Sequence, residues 1–234
     1  MSKWLASIQS LEEAQVLSEV LPDILDIKNP SQGALGALSI EKVTEIVTFI
    51  AGRCPTSATI GDLPMQAKII NSAMIAMAES GVDYIKVGLF PEHGLLDCLS
   101  AIRVTIETLD VPVIAVLFAD KWPEQEILPL LKATGFDGIM VDTAVKDGQH
   151  LLDHWDDLQL TAFVALARQQ NLMCGLAGAL RQKDIYILQQ FGADYLGFRS
   201  ALCQEQQRTA ELKMDLAISL QQTVQQGHPL KKAM

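Results

Sequence analysis

Two lysines interrupt segments that otherwise read as buried strands. In ILDIKNPSQGALGA (residues 24–37) Lys28 closes four mostly apolar residues just before Asn29 and Pro30, and in YIKVGLF (84–90) Lys86 sits inside an apolar run. Strand side chains alternate between faces, so Lys86 lies opposite Ile85 and Val87, and Asp26 and Lys28 share a face opposite Leu25 and Ile27. An inward lysine is costly unless a carboxylate or a ligand pairs it. Asp26, Asp62 and Asp142 supply such carboxylates, and Lys146 of DTAVKDG adds a third cation. Desolvation and a neighbouring cation lower a lysine pKa by up to several units, toward about 7–8, where the amine serves as nucleophile or general base. Asp142 can shuttle protons and hold the remaining ammonium. That is the chemistry of carbonyl compounds: imine formation, enolisation and aldol addition. A purely structural ion network is the competing reading.

These residues need a scaffold that gathers strand ends. Short apolar runs recur at 4–8, 24–29, 56–62, 84–90, 112–120, 138–144, 173–179 and 195–201, separated by stretches of helical period such as SIEKVTEIVTFIA, LLDCLSAIRVTIETL and LTAFVALARQQ. SGVDYI, TGFDGI and FGADYL each read as a helix stopped by a left-handed glycine before the next strand. Eight strand–helix units of about 29 residues predict an α/β fold of the TIM (β/α)₈ barrel type, a single domain over residues 1–234. An open doubly wound sheet is disfavoured, because the first strand is not followed by GxGxxG. Only the tail QQGHPLKKAM reads as frayed.

Barrel enzymes work at the C-terminal ends of their strands. The residues there are Asp26, Lys28 and Asn29, then Asp62, Lys86, Asp120, Asp142 with Lys146, Gly178, and Gly197 with Arg199 and Ser200. Catalytic work falls to Lys28, Lys86, Asp142 and Lys146; Asp26, Asn29, Asp62, Asp120, Gly178, Gly197, Arg199 and Ser200 are candidates for binding substrate or its phosphate. LAGAL and GFRSAL stand where barrels bind phosphate through backbone N–H groups, and Arg199 could add a bidentate contact. The expected substrate is a small phosphorylated carbonyl compound.

Composition narrows the alternatives. A net charge of −10 and a pI of about 4.8 argue against a broad nucleic-acid footprint. No apolar run approaches the roughly 18 residues of a membrane span, and MSKWLASIQSLEEAQ turns acidic too early for a signal peptide, so a soluble cytoplasmic protein is expected. Cys54, Cys98, Cys174 and Cys203 show no CxxC spacing and read as reduced core residues. His150 and His154 in HLLDH lack the HExxH glutamate and read as a solvated helix start. No nucleotide, metal or organic cofactor is indicated. The apolar face of LSAIRVTI offers a surface for a homo-oligomer.

DIKNPSQGALGA, SATIGDLP, DYIKVGLF, DTAVKDG, CGLAGAL and GFRSALC, in this order, resemble the (5-formylfuran-3-yl)methyl phosphate synthases of methanofuran biosynthesis, from about Leu21 to Cys203. The resemblance implies a (β/α)₈ lyase that condenses two glyceraldehyde 3-phosphate molecules, losing phosphate and water. It implies a Schiff base at Lys28, a proton acceptor in Lys86, and Asp142 and Lys146 completing the acid–base set. The chain departs from the family at Leu38, at Ser200 where archaeal relatives carry glycine, and in the polar QEQQRTAEL, departures compatible with a bacterial branch making a methanofuran analogue. Two other functions remain open: another lysine-dependent aldolase or isomerase barrel, and a barrel that binds a phosphorylated ligand without catalysis.

Overall fold

The computed structural model describes residues 1–122 and 127–226. Its eight strands are β1 (Lys3–Ile8), β2 (Ile24–Ile27), β3 (Thr56–Thr59), β4 (Tyr84–Gly88), β5 (Val113–Phe118), β6 (Gly138–Asp142), β7 (Met173–Leu176) and β8 (Tyr195–Phe198). Every neighbouring pair is parallel, and β8 pairs with β1, so the sheet closes into a barrel in chain order. All eight fall inside the segments expected from sequence, give or take one residue at the first. The expected TIM barrel is the observed fold. The tail was expected to fray, but from Gly227 onward it lies outside the described residues.

Helices α1 (Leu11–Leu17), α2 (Ile40–Ile50), α3 (Ala67–Ala78), α4 (Leu95–Thr108), α5 (Leu128–Thr134), α6 (Leu151–His154), α7 (Asp157–Gln169), α8 (Ile185–Phe191) and α9 (Met214–Gln226) surround the strands. Their starts are chemically marked: Ser10 accepts the Glu13 N–H, and Asp156 and Gln159 form a reciprocal capping box on α7. Gly135 and Gly192 end α5 and α8 with φ of 103° and 74°, the left-handed stop read from TGFD and FGAD. Among the described residues no helix is long and apolar enough to cross a membrane.

Alternation along the strands creates two apolar layers. Ile85, Val87, Ala115, Leu117, Ile139 and Val141 face outward onto Ile46, Ile70, Leu99, Leu131 and Phe163 of the helices. Each such fully buried aliphatic side chain contributes roughly 1.5–3 kcal/mol relative to exposure. Inside the barrel, Leu5, Ile24, Ile114 and Met140, with Tyr84, Met173 and Tyr195, fill the lower part. At the upper end Phe118 stacks on Phe90 at 4.9 Å and occupies the β5 side. Inward polar side chains of β1, β2, β4 and β6 thereby gather at the C-terminal mouth.

The four cysteines are free thiols and buried, as expected. Burial also raises the pKa of each, that of Cys203 to about 11, so none is poised as a nucleophile. His150 departs from the solvated position expected of it: it is the N-terminal cap of α6 and only 7% exposed.

Candidate active site

A cavity of about 440 Å³ opens at the mouth of the barrel, a size suited to a small ligand. Its floor is set by register. Ser7, Asp26 and Ser57 are lateral neighbours on β1, β2 and β3 and point inward together. Ser7 and Ser57 donate to the two oxygens of Asp26 at 2.8 and 2.7 Å, and Lys86 Nζ lies 2.5 Å from Oδ1. Asp26 and Lys86 are 0% and 3% exposed. Burial alone would raise the Asp26 pKa, but the ammonium groups of Lys86 and Lys28 and the Ser57 hydroxyl outweigh it and hold the acid below its ordinary value.

Lys28 lies one residue beyond β2 yet remains in the ladder, its N–H donating to the Ile8 carbonyl at 2.9 Å. It is 7% exposed, and its Nζ stands 3.8 Å from Asp142 Oδ2, beyond a normal hydrogen bond. Asp142 gives its other oxygen to Lys146 Nζ at 2.9 Å and to the Thr143 N–H at 2.7 Å. Burial lowers the Lys28 pKa to about 8, against the attraction of Asp142 and Asp26 and assisted by Lys86 and Lys146. Burial acts on Asp142 in the opposite sense, but Lys146 and Lys28 prevail and keep its pKa well below the usual carboxylate range. The arrangement is therefore a desolvated amine beside a firmly ionised carboxylate that the Lys146 ammonium holds.

The model of the 4-HFC-P synthase family matches residues 4–221. The chain belongs to that family. The (5-formylfuran-3-yl)methyl phosphate synthase of Methanosarcina acetivorans is 35% identical over 218 residues, covering 89% of this chain and 93% of its own. A putative (5-formylfuran-3-yl)methyl phosphate synthase of Methylorubrum extorquens is 38% identical over 208 residues, covering 89% and 85%. Among solved structures, 3-hexulose-6-phosphate synthase from Salmonella typhimurium superposes with a TM-score of 0.67 over 97% of this chain and 100% of that one; at 16% identity the likeness is one of fold. The chain is thus a barrel member of a synthase family, and the remaining candidate residues can be placed within it.

Gly178 and Gly197 line the cavity, as does Ser200. Gly178 has φ of 106°, and a Cβ there would come within 3.1 Å of Thr143, so only glycine leaves the β7 loop where it is. Two acids and one amide expected near substrate have other work. Asp62 accepts the N–H groups of Ala34 and Leu35 at 2.8 and 3.0 Å and ties down the loop after β2; it pairs with none of the three lysines. Asp120 does the same for Ala144 and Val145 at 2.7 and 2.9 Å, fixing the loop that carries Lys146. Asn29 accepts the Ser31 N–H at 3.0 Å, a local turn bond, and does not line the cavity. Polar groups thus reach the cavity from fewer strands than the strand ends suggested.

Arg199 does border the cavity, but its guanidinium is already committed. It pairs with both oxygens of Glu13, at 2.5 and 3.0 Å, and donates to the carbonyls of Ser7, Arg208 and Ala210. Its expected phosphate contact gives way to a buried structural pair. Sequence reading missed Arg181 and Arg208, both of which line the cavity. Arg208 belongs to QEQQRTAEL, the segment following β8, and its position after an active-site strand is the signal that would have marked it.

Proposed function

We propose that this protein condenses two glyceraldehyde 3-phosphate molecules into (5-formylfuran-3-yl)methyl phosphate through an imine on Lys28, serving the biosynthesis of methanofuran or an analogue. The observation that carries the reading is the Lys28 amine, buried, with its pKa lowered to about 8, and 3.8 Å from an ionised Asp142. At neutral pH about a tenth of such an amine is unprotonated, against less than about a thousandth of an ordinary lysine. The neutral Nζ adds to the aldehyde carbon, water departs, and the resulting iminium cation finds Asp142 as its counter-ion. The depressed pKa of Asp142 suits it to stabilising that cation rather than to accepting a proton.

An iminium acidifies the neighbouring C–H. Lys86 is the proton acceptor in its neutral form, its own proton having passed to Asp26 within hydrogen-bond distance of its Nζ. The enamine so formed adds to the second aldehyde, ring closure follows, hydrolysis of the imine frees Lys28, and the net loss of inorganic phosphate and two waters balances the product. Departure of phosphate by carbon–oxygen cleavage makes the reaction a lyase reaction. Lys146, 2.9 Å from Asp142, keeps that carboxylate charged and adds a cation near the leaving groups. Family membership supports the product, and the excess of cations in the cavity supports a phosphorylated substrate.

The test is an ultraviolet time course of the purified protein with glyceraldehyde 3-phosphate, with Lys28→Ala alongside. Growth of a furan-aldehyde absorbance with phosphate release in the wild type alone is expected. A borohydride-trapped adduct at Lys28 without that absorbance would redirect the reading to another sugar phosphate. Absence of both signals would leave a binding barrel.

A further inference from the structure

We infer that Arg208 binds a phosphate of the substrate, presented by a segment that the buried Arg199–Glu13 pair holds against the mouth of the barrel. The inference rests on the preceding reading, that the substrates are phosphorylated carbonyls.

Charge inside the cavity is the first argument. Six cationic residues and two carboxylates line it, in a protein whose net charge is −10. Arg199 is neutralised by Glu13, and the lysines share Asp26 and Asp142. Arg208 has no carboxylate within ion-pair distance among the described residues. Burial pushes its pKa below the ordinary value, and attraction to Asp142 and Asp62 does not make up the loss. It is a half-buried guanidinium short of counter-charge, and a phosphate dianion would supply that charge in the planar, forked geometry that arginine favours.

Construction of the segment is the second argument. Cys203 and Leu212 form an antiparallel bridge at its base, and Glu205 and Gln206 turn sharply at φ of 52° and 56°. Two successive non-glycine residues in the left-handed region are strained, and such strain persists where the surroundings impose it. The surroundings here are Arg199, whose Nε and Nη2 donate to the carbonyls of Arg208 and Ala210 at 2.7 and 3.3 Å while its fork grips Glu13 of α1. The Arg208 side chain then reaches across the mouth to the Gly33 carbonyl at 2.7 Å, its only hydrogen bond among the described residues. Gly33 belongs to the loop that follows Lys28. Arg208 thus joins the loop after the amine-bearing strand to the loop after β8, with most of its donors unspent.

A latch and a phosphate ligand make different predictions. Borohydride trapping at Lys28 would be titrated with glyceraldehyde 3-phosphate and with glyceraldehyde, in wild type, Arg208→Gln and Arg208→Lys. Arg208→Gln is expected to cut the preference for the phosphorylated aldehyde by roughly 10- to 100-fold, with Arg208→Lys between the two. Equal losses on both aldehydes, or no loss on either, would overturn the inference and leave Arg208 a latch. Inorganic phosphate binding, followed by calorimetry, tests Arg208 independently of any imine. Weaker binding by tenfold or more in Arg208→Gln is expected, and unchanged binding overturns the inference. Failure of wild-type Lys28 to trap any carbonyl, with phosphate binding still dependent on Arg208, would instead remove the imine reading and leave this one standing.

Discussion

Lys28 Nζ stands 3.8 Å from Asp142 Oδ2, while Lys146 Nζ holds Asp142 Oδ1 at 2.9 Å. The carboxylate is shared unequally: Lys146 takes the hydrogen bond and leaves Lys28 with attraction but no bond, so its proton is easier to lose. Imine formation should therefore rise with pH through about 8, where Lys28 loses its proton. Lys146 is one of the cations lowering the Lys28 pKa, so Lys146→Met should move that midpoint upward. Borohydride trapping rates against pH, for wild type and Lys146→Met, measure both midpoints. A midpoint that does not move on removing Lys146 would break the electrostatic link between the two lysines.

Lys28 should also be a source of instability. Its pKa falls from 10.5 to about 8 on folding, so between those values the unfolded chain binds more protons. Stability then rises with pH through that window, and below about pH 8 the fold carries the full cost of burying the ammonium. Lys28→Met should be more stable than wild type at pH 7 by on the order of 1–3 kcal/mol, with the difference narrowing as pH approaches 10.5. Denaturant unfolding at pH 7 and pH 10 checks this. Lys28→Arg should lose turnover while still folding, since guanidinium forms no imine.

How much of this was readable from sequence depends on the range of the interaction. The eight strands were, because short β-branched runs alternate with helical period and glycine stops, all of them local signals. The inward direction of Lys28, Lys86 and Asp26 also was, because alternation is a property of consecutive residues. Asp62 and Asp120 lie past the ends of β3 and β5, where alternation no longer holds; Asp62 caps the loop before it, after β2, and Asp120 the loop after β6. Arg199 was read as a phosphate contact at the end of the eighth strand, but its partner Glu13 is 186 residues away, on a seven-residue helix too short and too polar to stand out. Arg208 depends on how a loop folds over the mouth, which no periodicity records.

The Asp26–Lys86 pair makes a prediction about energetics. Both groups are buried, and removing the acid leaves an ammonium without its partner. Asp26→Asn should destabilise the fold by about 3–5 kcal/mol, the usual cost of breaking one side of a buried pair. Replacing both, as Asp26→Asn with Lys86→Met, should recover most of that loss, because the stranded charge goes with its partner. A double-mutant cycle by denaturant unfolding reads the coupling. Additive losses would mean that Lys86 draws its compensation from elsewhere.

Asp120 offers a test of positioning without contact. It touches no part of the cavity, but its two oxygens hold the N–H groups of Ala144 and Val145, directly before Lys146. Asp120→Ala releases both bonds, each a charge-assisted one of roughly 1.5–3 kcal/mol, and lets the Lys146 ammonium drift from Asp142. With less positive charge at that carboxylate, the apparent pKa of imine formation at Lys28 should rise, in the same direction as for Lys146→Met. Asp120→Asn keeps one acceptor oxygen and should fall between Ala and wild type. A change in stability alone would not move that midpoint, so trapping rates against pH separate a positioning role from a merely structural one. If Asp120→Ala lowers stability and leaves the midpoint at about 8, the loop reaches its place without this carboxylate, and Lys146 is held by Asp142 and Thr143 alone.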